Sequence, residues 1–163
     1  MIRKNFQTVL PLLIITLILS LTACNPSAKM EKQENEEIQA FLSSTDSIFV
    51  KQPSGLYYHE IVAGTGVSPK KADSAFVKYT GKFLDGTIFD SNVVTGKLYA
   101  FIVGYNIPGF DEGVTLMKVG GKSTLLIPSK LAYGANGSYP YIPGHTPLLF
   151  DLELVKVIPH TGK

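Results

Sequence analysis

The stretch Tyr79–Ser91, YTGKFLDGTIFDS, decides how this chain folds, because it places a tight-turn signal between two strand-forming runs. Its centre, Asp85-Gly86, is a dipeptide preferred in two-residue β-hairpin turns. The residues on both sides are rich in aromatic and β-branched side chains, which favour strands. The stretch therefore predicts a β-hairpin.

The register of this hairpin determines which side chains share a face. A plain two-residue turn pairs Gly81 with Asp90, and it puts Tyr79, Phe83 and Asp90 on one face and Phe89 on the other. Phe89 can join the first face only if a β-bulge or a strong twist breaks the register. Gly81 is the natural position for that break.

Other strand-like runs on both sides of the hairpin are bounded by turn residues such as Gly and Pro. In the last of them apolar and charged residues alternate, so one strand face is expected to be wet and the other dry. The predicted strands are Leu56–Val62, Ser74–Leu84, Leu98–Val103, Lys122–Pro128 and Pro147–Ile158.

One short helix is predicted at Pro108–Met117. This segment begins with proline, carries acids in its first turn and has apolar residues at helical spacing, and Gly120-Gly121 ends it. One short helix against an antiparallel sheet gives an α+β fold, and the domain is predicted to span residues 53–163.

The first 23 residues have the pattern of an export signal. A basic segment with Arg3 and Lys4 precedes the apolar run Val9–Leu21, which is too short for a comfortable membrane span. The run ends in LTAC, which resembles a bacterial lipoprotein signal and predicts a signal peptide over 1–23 with a lipid on Cys24, the single cysteine. An ordinary cleaved signal and an uncleaved anchor are the alternatives.

Residues 24–52 are predicted to form a polar tether with a short helix. Charged residues crowd this segment, and its few apolar residues, Ile38, Phe41 and Leu42, are spaced as on one helix face. A solvated spacer that lifts the domain off the membrane is favoured over a dimerising helix, because the apolar stripe is too short for a coiled coil.

Composition and motifs exclude several classes of function. Loss of Arg3 and Lys4 with the signal leaves 13 basic and 13 acidic side chains, which gives no electrostatic footprint for nucleic acid. The three histidines, His59, His145 and His160, lack Cys, Asp or Glu partners at metal-ligand spacing, so neither a metal nor a cofactor is expected. No nucleophile elbow and no phosphate-binding loop is present.

What remains is an excess of aromatic residues, accompanied by a few polar groups such as Asp90. Each aromatic residue alone is typical of a core, but an apolar pocket with one or two polar groups suits a weakly polar ligand. The segments that combine these residues occur in order along the chain: Gly64-x-Gly66, Val77–Gly81, Leu84–Ser91, Ile107–Gly113, Met117–Gly120, Ile127-Pro128, Leu131–Gly134, Ile142-Pro143 and Leu148–Leu154.

Together these segments, spread over Gly55–Ile158, resemble the FK506-binding-protein (FKBP) family of peptidyl-prolyl cis/trans isomerases. The resemblance implies a twisted antiparallel sheet wrapped around one short helix, with a proline pocket between them. It assigns catalytic roles to Tyr79, Phe89, Asp90 and Tyr133. It assigns substrate contacts to Tyr99, Ile107, Phe110, Ile142 and Phe150.

In this resemblance the Tyr133 hydroxyl and the Ile107 N–H hold substrate carbonyls, and Asp90 places a carboxylate beside the twisting amide. The implied activity is isomerisation of X-Pro bonds in exported proteins without a covalent intermediate or a cofactor. The expected partners are proline-containing polypeptides, FK506-like macrolides and, through the lipid anchor, a membrane. The expected location is the bacterial cell envelope, with an outer-membrane anchor and the domain in the periplasm.

Two other functions are compatible with the same residues. A membrane-tethered chaperone or peptide-binding module would use the aromatic cleft with little turnover. A structural lipoprotein would use its aromatic residues only as core. The carboxylate of Asp90 favours the enzyme, because a module that only binds has no need of it beside the amide.

The sequence departs from the family pattern around the pocket rim. Thr95, with Lys97 nearby, stands where many members have an arginine that pairs with the aspartate. Tyr139 and Tyr141 occupy a segment that is more aliphatic in the best-known members, and Asn106 replaces an aliphatic residue. We expect Asp90 to be less firmly held and macrolide affinity to be weaker.

Overall fold

A computed structural model describes residues 26–162. The helices and strands are, in chain order, α1 (Pro26–Ser44), β1 (Val50–Lys51), β2 (Tyr57–Val62), β3 (Ser74–Lys82), β4 (Ile88–Ser91), β5 (Tyr99–Ile102), α2 (Pro108–Leu116), β6 (Lys122–Ile127) and β7 (Leu148–Ile158). A turn of 3-10 helix, Ser129–Leu131, follows β6. Five strands and α2 begin and end within two residues of their predicted bounds, which confirms the α+β fold class, whereas β1 was not predicted.

All strand pairs are antiparallel, and their order across the sheet is β1-β2-β6-β7-β3-β4. The long strand β3 pairs with β7 on one edge and with both β5 and β4 on the other. Its first half meets β5 and its second half meets β4. The segment that connects β4 to β5 therefore lies beside the middle of β3.

The β3–β4 hairpin contains the predicted break in register. Thr80 pairs with Ser91 and Gly81 with Asp90, but the next pair is Lys82 with Ile88, which leaves Phe89 as the extra residue. The Phe89 ring lies directly over Gly81, where an added Cβ would stand 2.6 Å from Phe89 Cζ. The predicted bulge at Gly81 is thus confirmed. Gly81 has no side chain, so the Phe89 ring can lie over its backbone.

Helix α2 packs closely on β6. A Cβ on Gly113 would lie 2.3 Å from Leu125 Cδ1, and a Cβ on Gly109 would lie 2.4 Å from Ile127 Cγ2. These two glycines let the helix backbone approach the strand. The core between helix and sheet consists of buried apolar side chains that include Val77, Phe101, Phe110, Val114, Met117, Leu125, Ile127, Phe150, Leu152 and Leu154.

The face of the sheet opposite α2 was predicted to be exposed to solvent, and near β6 and β7 it is partly buried. Asp151 and Glu153 on β7 do pair with lysines, as expected of a wet face. However, Leu126 and Leu149 on that face are 0% and 5% exposed, because α1 packs over them with Ile38, which is 1% exposed. The sheet is therefore covered by one helix on each face in this region.

The segment predicted to be a solvated tether thus forms a helix of 19 residues that is packed on the sheet. Its mean composition is polar, yet its one apolar stripe suffices for docking because it meets apolar side chains of β2, β6 and β7. The predicted boundaries 1–23, 24–52 and 53–163 stay predictions.

The predicted signal peptide and Cys24 lie outside the described residues. Within residues 26–162, no helix has the length and apolar character needed to cross a membrane.

Candidate functional site

A cavity of about 220 Å³ opens where β3, β4 and β5 face the start of α2. Eight of the nine residues to which the sequence assigned catalytic or substrate-binding roles line it, and Asn106 joins them. The lining is Tyr79, Phe89, Asp90, Tyr99, Asn106, Ile107, Phe110, Tyr133 and Phe150.

Phe110 and Phe150 form the floor of the cavity, and Phe101 packs against Phe110 beside them. Phe110 projects from the first turn of α2, and its ring centroid lies 5.3 Å from that of Phe150 on β7 and 5.5 Å from that of Phe101 on β5. These three residues are 4%, 6% and 9% exposed. Edge-to-face packing in a buried site holds rings in fixed orientations, so the floor is rigid and apolar.

The walls are aromatic residues from the strands. Phe89 packs edge-on against Phe150 at 5.7 Å between centroids, in the position that the bulge gives it. Tyr79 on β3 packs edge-on against Tyr99 on β5 at 5.5 Å. The bulge and the pairing of β3 with both neighbours therefore bring together rings that a regular hairpin would separate.

The main polar contact of the cavity joins Tyr79 and Asp90. The Tyr79 hydroxyl donates a hydrogen bond of 2.6 Å to Asp90 Oδ2. Burial, together with this hydrogen bond and the charge of Asp90, raises the pKa of Tyr79. The hydroxyl thus stays protonated and keeps the carboxylate oriented.

The contacts of Asp90 differ from the arginine pairing that the resemblance implies for many members of the family. Within residues 26–162 the carboxylate forms no ion pair. Thr95, at the position of that arginine, instead donates to the carbonyl of Asn92 at 3.0 Å. The Tyr79 hydroxyl is therefore the group that holds Asp90.

Two residues that line the cavity carry hydrogen-bond donors, the Tyr133 hydroxyl and the Ile107 backbone N–H. Tyr133 follows the 3-10 turn and is 39% exposed, and burial raises the pKa of its hydroxyl, with a smaller contribution from the charge of Asp90. Ile107 precedes α2, and its backbone N–H has no acceptor within residues 26–162. Both donors are available for carbonyl groups of a bound peptide.

Asn106 orders the rim beside Tyr99. Its side-chain Oδ1 accepts a hydrogen bond of 2.9 Å from the Tyr99 hydroxyl, and its backbone N–H donates at 2.9 Å to Oδ2 of Asp111 in α2. The polar residue that departs from the family pattern therefore fixes the position of a wall ring.

Sequence reasoning missed Asn92, which fixes the chain between β4 and β5. Its Oδ1 accepts from the Tyr79 N–H at 2.7 Å, and its Nδ2 donates to the carbonyls of Val77 and Lys97 at 3.0 and 2.9 Å. An asparagine just after a strand is a common turn residue, and this is the one signal that marks it. Asn92 thereby locks the backbone that carries Tyr79.

Ile142 is the predicted contact that does not line the cavity. It is 6% exposed and belongs to the main core, and its carbonyl accepts from the Ser138 N–H at 2.7 Å. The neighbouring Tyr139 and Tyr141 are 96% and 76% exposed. The tight turn at Ser138–Ile142 directs the isoleucine inward, so Ile142 does not line the cavity, and its contact with substrate stays a prediction.

The chemistry of the lining is narrow. No Ser, Thr, Cys, His or Lys is among the described residues that line the cavity, and the described part of the chain holds no cluster of three metal-ligating side chains. What the cavity offers is an apolar cage, two donors and one oriented carboxylate. These groups can bind and desolvate a ligand.

Comparisons with known sequences agree with this arrangement. Residues 66–155 match the family model described as FKBP-type peptidyl-prolyl cis-trans isomerase. The FKBP-type 22 kDa peptidyl-prolyl cis-trans isomerase of Escherichia coli is 45% identical over 105 residues, 64% of this chain and 51% of the relative. Outer membrane protein MIP of Legionella longbeachae is 40% identical over 136 residues, 80% of this chain and 58% of the relative. The chain thus spans about half the length of these relatives.

Solved structures give the same result. A peptidyl-prolyl cis-trans isomerase from Pseudomonas syringae superposes with a TM-score of 0.73 at 30% identity and covers 82% of this chain and 97% of that one. FkpA from Escherichia coli superposes with a TM-score of 0.69 at 31% identity, over 96% of this chain and 75% of that one. Because the family model matches more than half of the chain and the architecture agrees, the chain belongs to the FKBP-type peptidyl-prolyl cis-trans isomerase family.

Proposed function

We propose that the protein is a peptidyl-prolyl cis-trans isomerase that acts on X-Pro bonds of polypeptides in the cavity described above. The observation that carries this proposal is the Tyr79–Asp90 hydrogen bond of 2.6 Å above a floor of packed rings. A cavity of about 220 Å³ has room for a proline ring and its preceding amide.

The reaction needs no reactive side chain, since its barrier of about 18–20 kcal/mol arises from amide resonance that rotation destroys. Water hydrogen bonds to the carbonyl stabilise the planar, polar form of the amide. Transfer into an apolar cage removes that stabilisation and favours the twisted, less polar transition state. Lowering the barrier by about 4 kcal/mol accelerates rotation roughly a thousandfold.

The polar groups of the cavity position the peptide. The Tyr133 hydroxyl and the Ile107 N–H receive carbonyls on the two sides of the proline, so that the ring stays in the cage while the flanking chain turns. Asp90 places negative charge beside the rotating amide, in the orientation set by Tyr79. Rotation then proceeds without bond making or breaking.

The test is a protease-coupled assay with a proline tetrapeptide. We expect the full chain to accelerate isomerisation, and Phe89→Ala to lower kcat/KM by about tenfold or more because one wall of the cage is lost. Ile61→Ala, which truncates an apolar side chain on β2 that is 55% exposed, is the matched control. An unaltered rate for Phe89→Ala in a folded protein contradicts the proposed site.

One observation favours a second function, that of a chaperone or peptide-binding module with little turnover. Tyr105, Tyr139 and Tyr141 are 84%, 96% and 76% exposed on loops of the same domain, and exposed aromatic residues bind extended chains. Saturable binding of an unfolded proline-containing protein, without catalysis of the tetrapeptide, would support this function over the enzyme.

FK506-like macrolides are proposed to occupy the same cavity with reduced affinity, because Asn106 makes the rim more polar and Asp90 forms no ion pair among the described residues. Competition between the macrolide and the tetrapeptide measures this affinity. Failure to compete at any soluble concentration contradicts it.

We further propose attachment to the cell envelope through a lipid on Cys24, with the domain in the periplasm and the anchor in the outer membrane. Support comes from the LTAC sequence and from the relative named outer membrane protein MIP. Labelling of cells with a fatty-acid analogue, followed by fractionation, should place label on the protein in the outer membrane and none on Cys24→Ser. Equal labelling of both contradicts the anchor.

A further inference from the structure

Glu34 is a charged residue that is only 7% exposed, and it is distant in the chain from the residues that line the cavity. Glu34 lies on α1, and both its oxygens are engaged by one residue, Ser129. The Ser129 N–H donates to Oε1 at 2.5 Å, and the Ser129 hydroxyl donates to Oε2 at 2.6 Å. Charge-assisted hydrogen bonds of this length are among the stronger ones in proteins.

Ser129 passes this constraint on to the loop that carries Tyr133. Its carbonyl accepts hydrogen bonds from the backbone N–H groups of Ala132 and Gly134, both at 2.8 Å. These are the two residues that flank Tyr133. The N–H and hydroxyl of Ser129 therefore bind Glu34, and its carbonyl binds the backbone on each side of Tyr133.

The carboxylate is itself held in place by the packing of α1. Ile38, one helical turn after Glu34, is 1% exposed and packs with Tyr57, Leu126 and Leu149 on the outer face of the sheet. Around Glu34, a cavity of about 320 Å³ separates α1 from the loop, and Gly134 is among its lining residues. The Glu34–Ser129 hydrogen bonds thus connect α1 to the loop at the edge of this cavity.

We propose that Glu34 is a positioning residue for the isomerase site, which acts through Ser129 to hold the Tyr133 hydroxyl at the cavity. This inference rests on the proposed function. It gives the N-terminal helix a part in the reaction: removal of the carboxylate leaves the Ser129 N–H and hydroxyl without partners, frees the loop and misplaces the substrate donor.

The first measurement is kcat/KM of the full chain on the tetrapeptide. Glu34→Ala should lower it by about tenfold, and Glu34→Gln, which keeps one acceptor oxygen, by less. Glu36→Ala is the matched control, since Glu36 is exposed on the same helix and its one ion pair within residues 26–162 is with Lys32, at 3.7 Å. We expect the control to retain the wild-type rate.

A double-mutant cycle separates positioning from a general loss of stability. If Glu34 acts through Tyr133, Glu34→Ala should lower the rate by no more than about twofold once Tyr133 is already phenylalanine. Equal losses in the wild-type and Tyr133→Phe backgrounds overturn the inference. Should Glu34→Ala fail to fold, Glu34→Gln is used in the same cycle.

Amide hydrogen exchange provides a readout independent of catalysis. The N–H groups of Ala132 and Gly134 should exchange at least about tenfold faster in Glu34→Ala than in Glu36→Ala. Unchanged exchange overturns the inference even if the activity falls. Absence of wild-type activity overturns the proposed function instead, and the exchange rates still decide whether Glu34 holds the loop.

Discussion

At the scale of the residue, a tyrosine hydroxyl, and not an arginine, holds the carboxylate of Asp90 in the cavity. The Tyr79 hydroxyl holds Asp90 at 2.6 Å, and no cation pairs with that carboxylate within residues 26–162. A hydroxyl gives one neutral donor where a guanidinium gives a charged fork. Asp90 is therefore oriented by one bond, and its orientation depends on that hydroxyl remaining protonated.

Removal of the Tyr79 hydroxyl should reduce activity and leave the fold intact. Tyr79→Phe keeps the ring contacts with Tyr99 and Phe150 but loses the bond to Asp90. We expect kcat/KM to fall by about three- to tenfold, as one charge-assisted hydrogen bond is lost. Tyr57→Phe, on the other face of the sheet, is the control, and equal losses in both variants contradict the role of Tyr79.

The pH dependence follows from the raised pKa values of Tyr79 and Tyr133. Both lie above the ordinary value of 10.0, so both hydroxyls keep their protons through the neutral and mildly alkaline range. Their stabilising contribution is fully present below pH 10 and is lost as the pH rises through the raised pKa values. We expect a flat kcat/KM from about pH 7 to 9 by exchange NMR. A fall in this range in a folded protein contradicts it.

At the scale of the element, the bulged hairpin builds the pocket. The Asp85-Gly86 turn signal and the strand-forming residues around it predicted the hairpin, and the place in the pocket that the resemblance gives Phe89 required a break in the register. The structure adds that Gly81 is needed for the ring to lie across the strand, where a Cβ would be 2.6 Å from Phe89 and 3.1 Å from Phe150. The bulged hairpin thus places the Phe89 ring over Gly81, where it lines the cavity.

Gly81→Ala tests this element. The added methyl group must displace the Phe89 ring or the strand, which we expect to lower the free energy of unfolding by about 1–3 kcal/mol and to reduce activity. Gly162→Ala, where a Cβ meets open space, is the control. Denaturant unfolding and a parallel activity assay measure the two effects. Wild-type stability and activity in Gly81→Ala would contradict the need for glycine under the Phe89 ring.

At the scale of the whole molecule, the sheet has a helix on each face. Helix α2 and the inner core form the pocket floor, while α1 covers Leu126 and Leu149 on the outer face. Neighbouring residues of β6 therefore pack into different cores, Leu125 under α2 and Leu126 under α1. The sequence did not predict this docking, because α1 is polar in composition and only one narrow stripe of it is apolar.

Truncation of that stripe tests whether α1 is docked or solvated. Ile38→Ala removes a side chain that is 1% exposed and should lower the free energy of unfolding by roughly 2–4 kcal/mol. Met30→Ala, at 40% exposure on the same helix, should cost much less. Equal effects in denaturant unfolding would indicate a free spacer.

The sequence by itself determined five of the strands, α2 and the turn at Asp85-Gly86, because these depend on local periodicity and turn chemistry, and its resemblance to the FKBP family assigned the aromatic residues to the cavity. Only the tertiary structure decided that Ile142 turns into the core, that Asn92 locks the backbone of Tyr79, and that Glu34 reaches Ser129. Those contacts join residues distant in the chain or placed by a loop, and hydrogen-bond geometry between such partners leaves no periodic pattern in the sequence.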